Sequence, residues 1–229
     1  MQYRLKLTMK RIVVFGAAGH AKVVIDVLEK TRLWDIVGVI SGSQAAVTNQ
    51  VFGCTVLGQD DDLPRIVREQ EVHYGIIAVG DNFLRDRIRR KILSLCPDFQ
   101  FATAVHPDSS IARGVAISEG SVIMAGAVVN SDARIGRFCI VNTNASLDHD
   151  SSLGDFSSLA PGAVVGGNVR VGAYSAVCIG AMVKQDIVIG EHSVVGAGAI
   201  VMQDVPGYSV CYGQPCRFVR ERVPGESYL

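Results

Sequence analysis

The stretch VNTNASLDHDSSLGDFSSLAPGAVVGGNVRV, Val141 to Val171, places an aliphatic residue at every sixth position. The same period runs from Ile111 to Val201 without a miss, and these fifteen steps of six give sixteen hexads. A small or aliphatic residue follows each aliphatic one after four places, as at Ala145. A fixed six-residue period is typical of a parallel β-helix, where each repeat buries its apolar face by stacking on its neighbours.

The hexads also predict which side chains point outward. If three hexads form one triangular coil, residues eighteen apart stack at about 4.8 Å and the array makes about five coils. Aliphatic residues then fill the interior, and small residues let the chain turn. His149 and Asp150 occupy the third and fourth places of the Leu147 hexad. We therefore expect both side chains to face out of the coil.

The first hundred residues follow a different pattern, in which short β-rich runs such as RIVVFGA alternate with helical ones such as HAKVVIDVLEK. This alternation predicts a small parallel sheet flanked by helices. The loop GAAGH, Gly16 to His20, joins the first strand to the first helix, where a doubly wound fold binds phosphates on backbone N–H groups. Ala18, Ala21 and Ser41 depart from the dinucleotide fingerprint, so NAD is not expected.

The predicted fold class is an α/β, Rossmann-like N-terminal domain followed by a parallel β-helix of hexapeptide repeats. The predicted limits are 1–10 for an N-terminal extension, 11–105 for the Rossmann-like domain, 106–206 for the β-helix and 207–229 for a C-terminal tail. The basic run from Arg85 to Lys91 is expected to form the solvent-exposed face of a helix.

Composition argues against several classes of partner. The chain has 22 basic and 22 acidic residues, so no net field attracts nucleic acid or an anionic membrane. No apolar run has the roughly 18 residues that a membrane span needs, and the first residues lack the apolar core of a signal peptide. The six cysteines form no CxxC pair, which favours reduced thiols. These features predict a cytoplasmic protein.

Five segments together, VVFGAAGHAKVVIDVL, VGDNFLRDRI, HPDSSI, VVGAGAIV and GQPCR, along with the hexads, resemble the two-domain sugar acetyltransferases. This family includes sialic-acid O-acetyltransferase relatives and N-acetyltransferases of UDP- or GDP-linked 4-amino-4,6-dideoxy sugars. The resemblance extends from Arg11 to Arg217. It implies a left-handed β-helix, a homotrimer, acetyl-CoA as co-substrate in the groove between neighbouring β-helices, a nucleotide sugar on the N-terminal domain, and no metal.

In the family, the histidine of an xHx tripeptide is the general base, and this position matches His149. The acid that follows, matching Asp150, raises its basicity. An imidazole with a pKa near ~6.5 is suited to accept a proton from an attacking amine at neutral pH, and a carboxylate on its other nitrogen fixes the tautomer. Asp148 is a second candidate for that carboxylate.

The resemblance also indicates binding residues. Those matched to the nucleotide sugar are Gly19, His20, Ser41, Gly80, Asn82 and Asn142. Those matched to acetyl-CoA are Ser158, Gly167 and Ala197, with Lys184 and Arg217 as candidates for its phosphates. Gly167 follows His149 by eighteen residues, so one coil of stacking should place it beside the base, where its amide can stabilise a carbonyl oxygen.

The chain departs from the family pattern in its substrate-binding positions. Ser158 stands where relatives often have a histidine that contacts coenzyme A. In VISGSQ, Ser41 and Ser43 stand where relatives commonly have an acidic pair that engages the nucleotide. The sequence therefore does not identify the base of the nucleotide.

Three other functions compete with N-acetyl transfer as interpretations of these motifs. O-acetylation of a sialic acid or related sugar hydroxyl would use the same base and amide. A γ-type carbonic anhydrase needs three imidazoles on zinc, whereas the hexads contain only His149 and His192. A non-catalytic solenoid scaffold would not need His149. N-acetyl transfer to a nucleotide-linked amino sugar accounts for most of the motifs.

Overall fold

In the computed structural model, which describes residues 9–42 and 49–228, the chain begins with a six-stranded sheet flanked by helices. The elements are β1 (Lys10–Phe15), α1 (Gly19–Thr31), β2 (Trp34–Ile40), β3 (Gln50–Val51), β4 (Cys54–Gly58), a 3₁₀ turn (Asp60–Asp62), α2 (Leu63–Gln70), β5 (Tyr74–Ile77), α3 (Asn82–Leu95) and β6 (Gln100–Phe101). The strand order is β3-β4-β2-β1-β5-β6, and β3 alone runs antiparallel to its neighbour. Ser43 lies outside the described residues.

The central strand β1 is buried on both faces, as expected for a parallel strand between two layers of helices. Ile12 and Val14 pack in the cluster that includes α1, while Val13 and Phe15 pack in the cluster that includes α2 and α3. This alternation follows from the two-residue period of a strand, so every residue of the run IVVF has a reason to be apolar. The loop that starts at Gly16 follows the carboxyl end of β1.

The hexads form a triangular β-helix of short parallel strands. These strands are β7 (Ala104–Val105), β8 (Ser110–Ile111), β9 (Ala116–Ile117), β10 (Val122–Ile123), β11 (Val128–Val129), β12 (Arg134–Ile135), β13 (Ile140–Val141), β14 (Ser146–Leu147), β15 (Ser152–Leu153), β16 (Ser158–Leu159), β17 (Val164–Val165), β18 (Arg170–Val171), β19 (Ala176–Val177), β20 (Met182–Val183), β21 (Val188–Ile189), β22 (Val194–Val195) and β23 (Ile200–Val201). Pairings such as Val122 with Ile140 confirm the predicted spacing of eighteen residues per coil.

Every third strand belongs to the same face of the prism. We call the sheet that contains β7, β10, β13, β16, β19 and β22 face I, the sheet from β8 to β23 face II, and the sheet from β9 to β21 face III. A hairpin of β24 (Ser209–Tyr212) and β25 (Arg217–Glu221) continues face I. The paired strands of face I thus extend from Ala104 to Glu221, and the domain limits at 106 and 206 stay predictions.

The corners between faces explain the composition of each hexad. The third residue after each aliphatic one from Ile111 to Val195 has a positive φ, which glycine, asparagine and aspartate adopt most readily. Asp150 is one of these residues, with φ 58°. The next residue is small or aliphatic and is mostly buried, as at Ala145 and Ser151. The positive φ required at this corner thus favours aspartate or asparagine at the residue that follows the outward-facing His149.

The corner between faces III and I has aromatic residues at the positive-φ position instead. Phe138, Phe156, Tyr174, His192 and Tyr208 stack at centroid distances from 4.6 to 5.3 Å, eighteen or sixteen residues apart in sequence. A bulky residue with positive φ costs conformational energy, which the stacking offsets. Helix α3 packs on this ladder.

Arg85 corrects the prediction that the run from Arg85 to Lys91 forms a solvent-exposed face. Its side chain is 1% exposed and donates to the carbonyl oxygens of Phe138 at 2.7 Å and Phe156 at 3.1 Å in the β-helix. It also donates to Val79 O at 2.9 Å and Gly80 O at 3.0 Å in its own domain. The guanidinium therefore joins the two domains, and only part of the run faces solvent.

Within residues 9–42 and 49–228, no helix is both long and apolar enough to cross a membrane.

Candidate functional site

His149 lies at the corner between faces II and III, with its side chain 60% exposed. Its ring Nδ1 is 2.8 Å from the Asp150 carboxylate, which stands on the adjacent positive-φ residue. The outward orientation expected from the hexads is therefore what the structure has. An imidazole held by a carboxylate at Nδ1 has Nε2 available for proton transfer to or from a ligand.

The two aspartates beside His149 make different contacts. Asp150 touches the ring, whereas Asp148 accepts from the backbone N–H of His149 at 2.8 Å and from Asn130 Nδ2 at 2.7 Å. The hydrogen bond that the Asp150 carboxylate accepts from the ring is the main cause of a raised His149 pKa, and the negative charge of Asp148 adds to it. Asp150 thus orients the imidazole, while Asp148 fixes the backbone beneath it.

Gly167 lies directly against the imidazole, one coil further along. A Cβ built on Gly167 would be 2.7 Å from both Cε1 and Nε2 of His149. Glycine is needed here for space, because any side chain would displace the ring. The Gly167 carbonyl accepts from Asp186 N, and within the described part of the chain its amide N–H donates to no acceptor. That amide is available to a ligand beside Nε2.

A cleft of about 550 Å³ lies between face I and the N-terminal domain. Most of its wall is aliphatic, formed by strand residues of face I such as Leu159 and Val177. Its polar lining residues are His20, Gly80, Asn142, Ser158 and Tyr228, and Ala197 lies at the same wall. The cleft thus brings together predicted nucleotide-sugar residues and predicted acetyl-CoA residues.

His20 contributes a neutral imidazole to this cleft from the first turn of α1. Burial, assisted by the charge of Arg85, lowers the His20 pKa to about 4. Its Nε2 is buried and has no hydrogen-bond partner among the described residues. Leaving a buried polar atom unpaired costs about 1–3 kcal/mol, so a ligand that pairs with Nε2 gains that energy. Gly19 precedes it on an exposed helix N-terminus that no side chain caps.

Other predicted nucleotide-sugar residues lie deeper. Asn82 is 1% exposed and spans the domain boundary, with Nδ2 donating to Ser175 O at 3.0 Å and Oδ1 accepting from Arg85 at 2.7 Å. These contacts give Asn82 a structural role, and its contact with substrate stays a prediction. Ser41 is 4% exposed at the carboxyl end of β2, where its backbone N–H donates to Gly58 O.

The cationic candidates for coenzyme A phosphates are exposed and lie outside the cleft lining. Neither Lys184 nor Arg217 forms an ion pair with another residue in the described ranges. Their proposed contacts stay predictions.

The predicted site residues that face the cleft or the His149 corner form two separate groups within one chain. His149, Asp150 and Gly167 lie at the corner between faces II and III, whereas the cleft opens on face I and includes Ile179 at the corner between faces I and II. Neither the place of Tyr228 in the cleft nor the interdomain role of Arg85 follows from a sequence pattern. The aromatic residues spaced by eighteen mark one corner of the prism, but nothing in the sequence pairs that corner with α3.

Comparisons with known proteins identify the relatives of the chain. Residues 11–92 match the family model of the PglD N-terminal domain. UDP-N-acetylbacillosamine N-acetyltransferase of Bacillus subtilis is 35% identical over 127 residues, which cover 51% of this chain and 52% of that enzyme. The match thus spans about half the length of this curated relative.

Solved structures match over nearly the whole chain. A His-to-Asn variant of perosamine N-acetyltransferase from Caulobacter crescentus, in complex with CoA and GDP-perosamine, is 34% identical with a TM-score of 0.86, covering 94% of this chain and 99% of that one. The acetyltransferase domain of PglB from Neisseria gonorrhoeae is 30% identical with a TM-score of 0.84, covering 92% and 100%. These matches and the strand pairing confirm the predicted fold class, including the left-handed β-helix.

Proposed function

The chain belongs to the family of two-domain, hexapeptide-repeat sugar acetyltransferases, and on this premise we propose that it transfers acetyl from acetyl-CoA to the amino group of a nucleotide-linked 4-amino-4,6-dideoxy sugar. The observation that carries the proposal is the exposed His149–Asp150 pair standing against the open amide of Gly167. A perosamine N-acetyltransferase and a UDP-N-acetylbacillosamine N-acetyltransferase among the relatives support an amine as the acceptor.

His149 acts as the general base in this proposal. The sugar amine attacks the thioester carbonyl carbon while Nε2 of His149 accepts a proton from the nitrogen. Asp150 holds the Nδ1–H tautomer and stabilises the imidazolium that forms. When the C–S bond breaks, the proton on Nε2 passes to the leaving thiolate of coenzyme A, which restores the neutral base.

Gly167 stabilises the negative charge that builds on the carbonyl oxygen. Its backbone N–H lacks an acceptor within the described residues and lies beside the imidazole. A donor fixed in position before the reaction costs little reorganisation when the oxyanion forms. His149 therefore takes the proton from the attacking nitrogen, and the Gly167 amide stabilises the negative oxygen of the same tetrahedral intermediate.

The interdomain cleft binds the two substrates in this proposal. His20 and Asn142 face the nucleotide sugar, whereas Ser158 and Ala197 face acetyl-CoA along face I. The Asn142 Oδ1 accepts from Thr143 N at 2.8 Å, which directs its Nδ2 donor to other partners. A phosphate of the nucleotide sugar fits the uncapped N-terminus of α1 beside Gly19.

A homotrimer brings the two groups of site residues together. Within one chain, His149 and the cleft lie on different corners of the prism, so the base must come from a neighbouring β-helix. Face II supports such packing because Val164 and Met182 are exposed there by 45% and 44%. Contiguous exposed apolar side chains are typical of surfaces that associate.

Light scattering of the purified chain tests this assembly. A trimer gives a molar mass of about three times the 24.5 kDa chain. A monomer at assay concentrations that retains full acetyl-transfer activity would contradict the proposal that the base comes from a neighbour.

A panel of acceptors tests the reaction itself. The purified protein is incubated with acetyl-CoA and UDP- or GDP-linked 4-amino sugars, and thiol release is followed together with the mass of the product. We expect thiol release and a gain of one acetyl group with an amine acceptor. Release with a sialic acid and with none of the amines would overturn the proposal in favour of O-acetylation.

The pH dependence of the rate should respond to Asp150. Because Asp150 and Asp148 raise the His149 pKa, the neutral base is lost as pH falls through that raised value, so kcat/KM falls on the acidic side. Asp150→Asn lowers the His149 pKa and should shift the acidic limb to lower pH while decreasing the maximal rate. Rate profiles over about pH 5 to 9 measure the shift.

Asp148→Asn is the matched control for this pH profile, because Asp148 affects the imidazole through charge and makes no hydrogen bond to the ring. Its acidic limb should move in the same direction by a smaller amount. The sugar amine titrates identically in both assays, so equal shifts in the two variants would contradict the assignment of Asp150 as the ring partner.

A further inference from the structure

We infer that Tyr228, carried by the C-terminal segment from Arg222 to Tyr228, is a substrate-contacting residue whose hydroxyl hydrogen-bonds the uncharged thioester-bearing arm of acetyl-CoA. Tyr228 lies in the wall of the interdomain cleft, together with His20 and Ser158. This inference rests on the proposed function, because it assumes that acetyl-CoA occupies the cleft.

The Tyr228 hydroxyl accepts from the backbone N–H of Asn82, but its own O–H has only long contacts to acceptors. It lies 3.3 Å from Gly80 O in the N-terminal domain and 3.5 Å from Ser158 Oγ on face I. Both distances are long for an O–H···O hydrogen bond, whose usual value is about 2.7–2.8 Å. Burial raises the pKa of Tyr228, so the phenol stays protonated and can donate. A better-placed acceptor on a ligand would therefore strengthen the hydrogen bonding of this group.

Arg222 fixes the segment that carries Tyr228. Its side chain is 4% exposed, and it donates to His192 O at 3.0 Å on the β-helix and to Glu226 O at 2.7 Å. The guanidinium also lies over the Tyr228 ring, 5.1 Å from the centroid. The quadrupole of an aromatic ring attracts a desolvated cation that lies over its face. The ring is thus positioned before any ligand binds.

Two further contacts fix the course of the backbone between Arg222 and Tyr228. Arg220 pairs with the Glu226 carboxylate through both terminal nitrogens. Gly225 has φ +84° and lies over Phe83 of α3, where a Cβ would be 2.9 Å from the ring. Only glycine combines this backbone conformation with so close an approach. The segment therefore follows one course along the boundary between the domains.

The chemistry of the cleft identifies the part of the ligand that Tyr228 meets. Among the described residues that line it, none carries an ionised side chain, and the pKa of His20 at about 4 keeps that imidazole neutral. A cleft with an aliphatic wall and neutral donors suits amide and thioester groups better than phosphates, which need cations or free backbone amides. The pantetheine arm of acetyl-CoA has this combination of alkyl chain, amides and thioester.

Steady-state kinetics of Tyr228→Phe and Tyr228→Ala in the full chain test the inference. The phenylalanine variant keeps the ring and loses one hydrogen bond, so KM for acetyl-CoA should rise about 3- to 10-fold with kcat little changed. The alanine variant should raise that KM more than about tenfold, and KM for the sugar substrate should stay within about twofold in both. Tyr212→Phe, at an exposed tyrosine on the hairpin that precedes this segment, is the matched control.

Calorimetric titration with CoA separates this inference from the proposed function, because it needs no acceptor. Weaker CoA binding by both variants than by the wild type supports the role of Tyr228. Unchanged or tighter binding overturns it, and so does a rise confined to the KM of the sugar. If the wild-type protein binds no CoA, the proposed function fails as well. Thermal unfolding shows whether the alanine variant is folded.

Discussion

Replacing His149 by asparagine should lower kcat for acetyl transfer at least about 100-fold while leaving the fold intact. General-base catalysis contributes about 10²- to 10⁴-fold, and the asparagine amide cannot accept the proton. The side chain is 60% exposed and contacts Asp150 and Gly167 outside the core, so little packing is lost. Thiol release with saturating acetyl-CoA and nucleotide sugar measures the loss.

His73→Asn is the control for this variant, because His73 is an exposed histidine of the N-terminal domain outside both parts of the site. Its kcat should equal that of the wild type. KM for acetyl-CoA should change little in His149→Asn, since the base acts on the transition state. A His149→Asn protein with undiminished kcat would show that another group removes the proton, or that the chain is a scaffold.

The repeat made the β-helix predictable. Each hexad is a local unit, so one aliphatic residue and one turn residue, as in Leu147 and Asp150, determine where every other side chain points. The same regularity placed Gly167 beside His149 from a count of eighteen residues, and the structure has that proximity. Local rules of this kind need no knowledge of the rest of the molecule.

The boundary between the domains was not predictable in the same way. Arg85 belongs to a basic run on an amphipathic helix, and such runs are mostly solvated. Its burial depends on carbonyl oxygens that the β-helix leaves free at Phe138 and Phe156, far away in sequence. Tyr228 likewise enters the cleft only because the hairpin returns the chain to the N-terminal domain. Long-range contacts of this kind have no period in the sequence.

Arg85→Ala should reduce the free energy of unfolding by about 3–5 kcal/mol, a larger loss than we expect from any other single change on α3. The variant leaves buried carbonyl oxygens of Phe138, Phe156 and Val79 without their donor, at about 1–3 kcal/mol each, and opens a cavity at a fully buried site. Asn82 loses the partner of its Oδ1 as well. Urea denaturation of the purified protein measures the change.

Arg85→Met separates hydrogen bonding from packing, because methionine keeps most of the side-chain volume and none of the donors. If the loss of donors to the carbonyl oxygens causes most of the destabilisation, the methionine variant should lose most of the stability that the alanine variant loses. Arg87→Ala, at an exposed arginine on the same helix, should stay within about 0.5 kcal/mol of the wild type. A methionine variant as stable as the wild type would contradict the role of Arg85 as a hydrogen-bonded link.

The same variants should affect the site, because Arg85 donates to Gly80 O at the wall of the cleft and its charge contributes to the lowered His20 pKa. Loss of the guanidinium lets the N-terminal domain shift against face I, which separates His20 from Ser158. We therefore expect KM for both substrates to rise in Arg85→Met, at temperatures where the protein is still folded, while Arg87→Ala keeps both values. Unchanged KM values with a large loss of stability would restrict Arg85 to a purely structural link, since the cleft would then hold its shape without it.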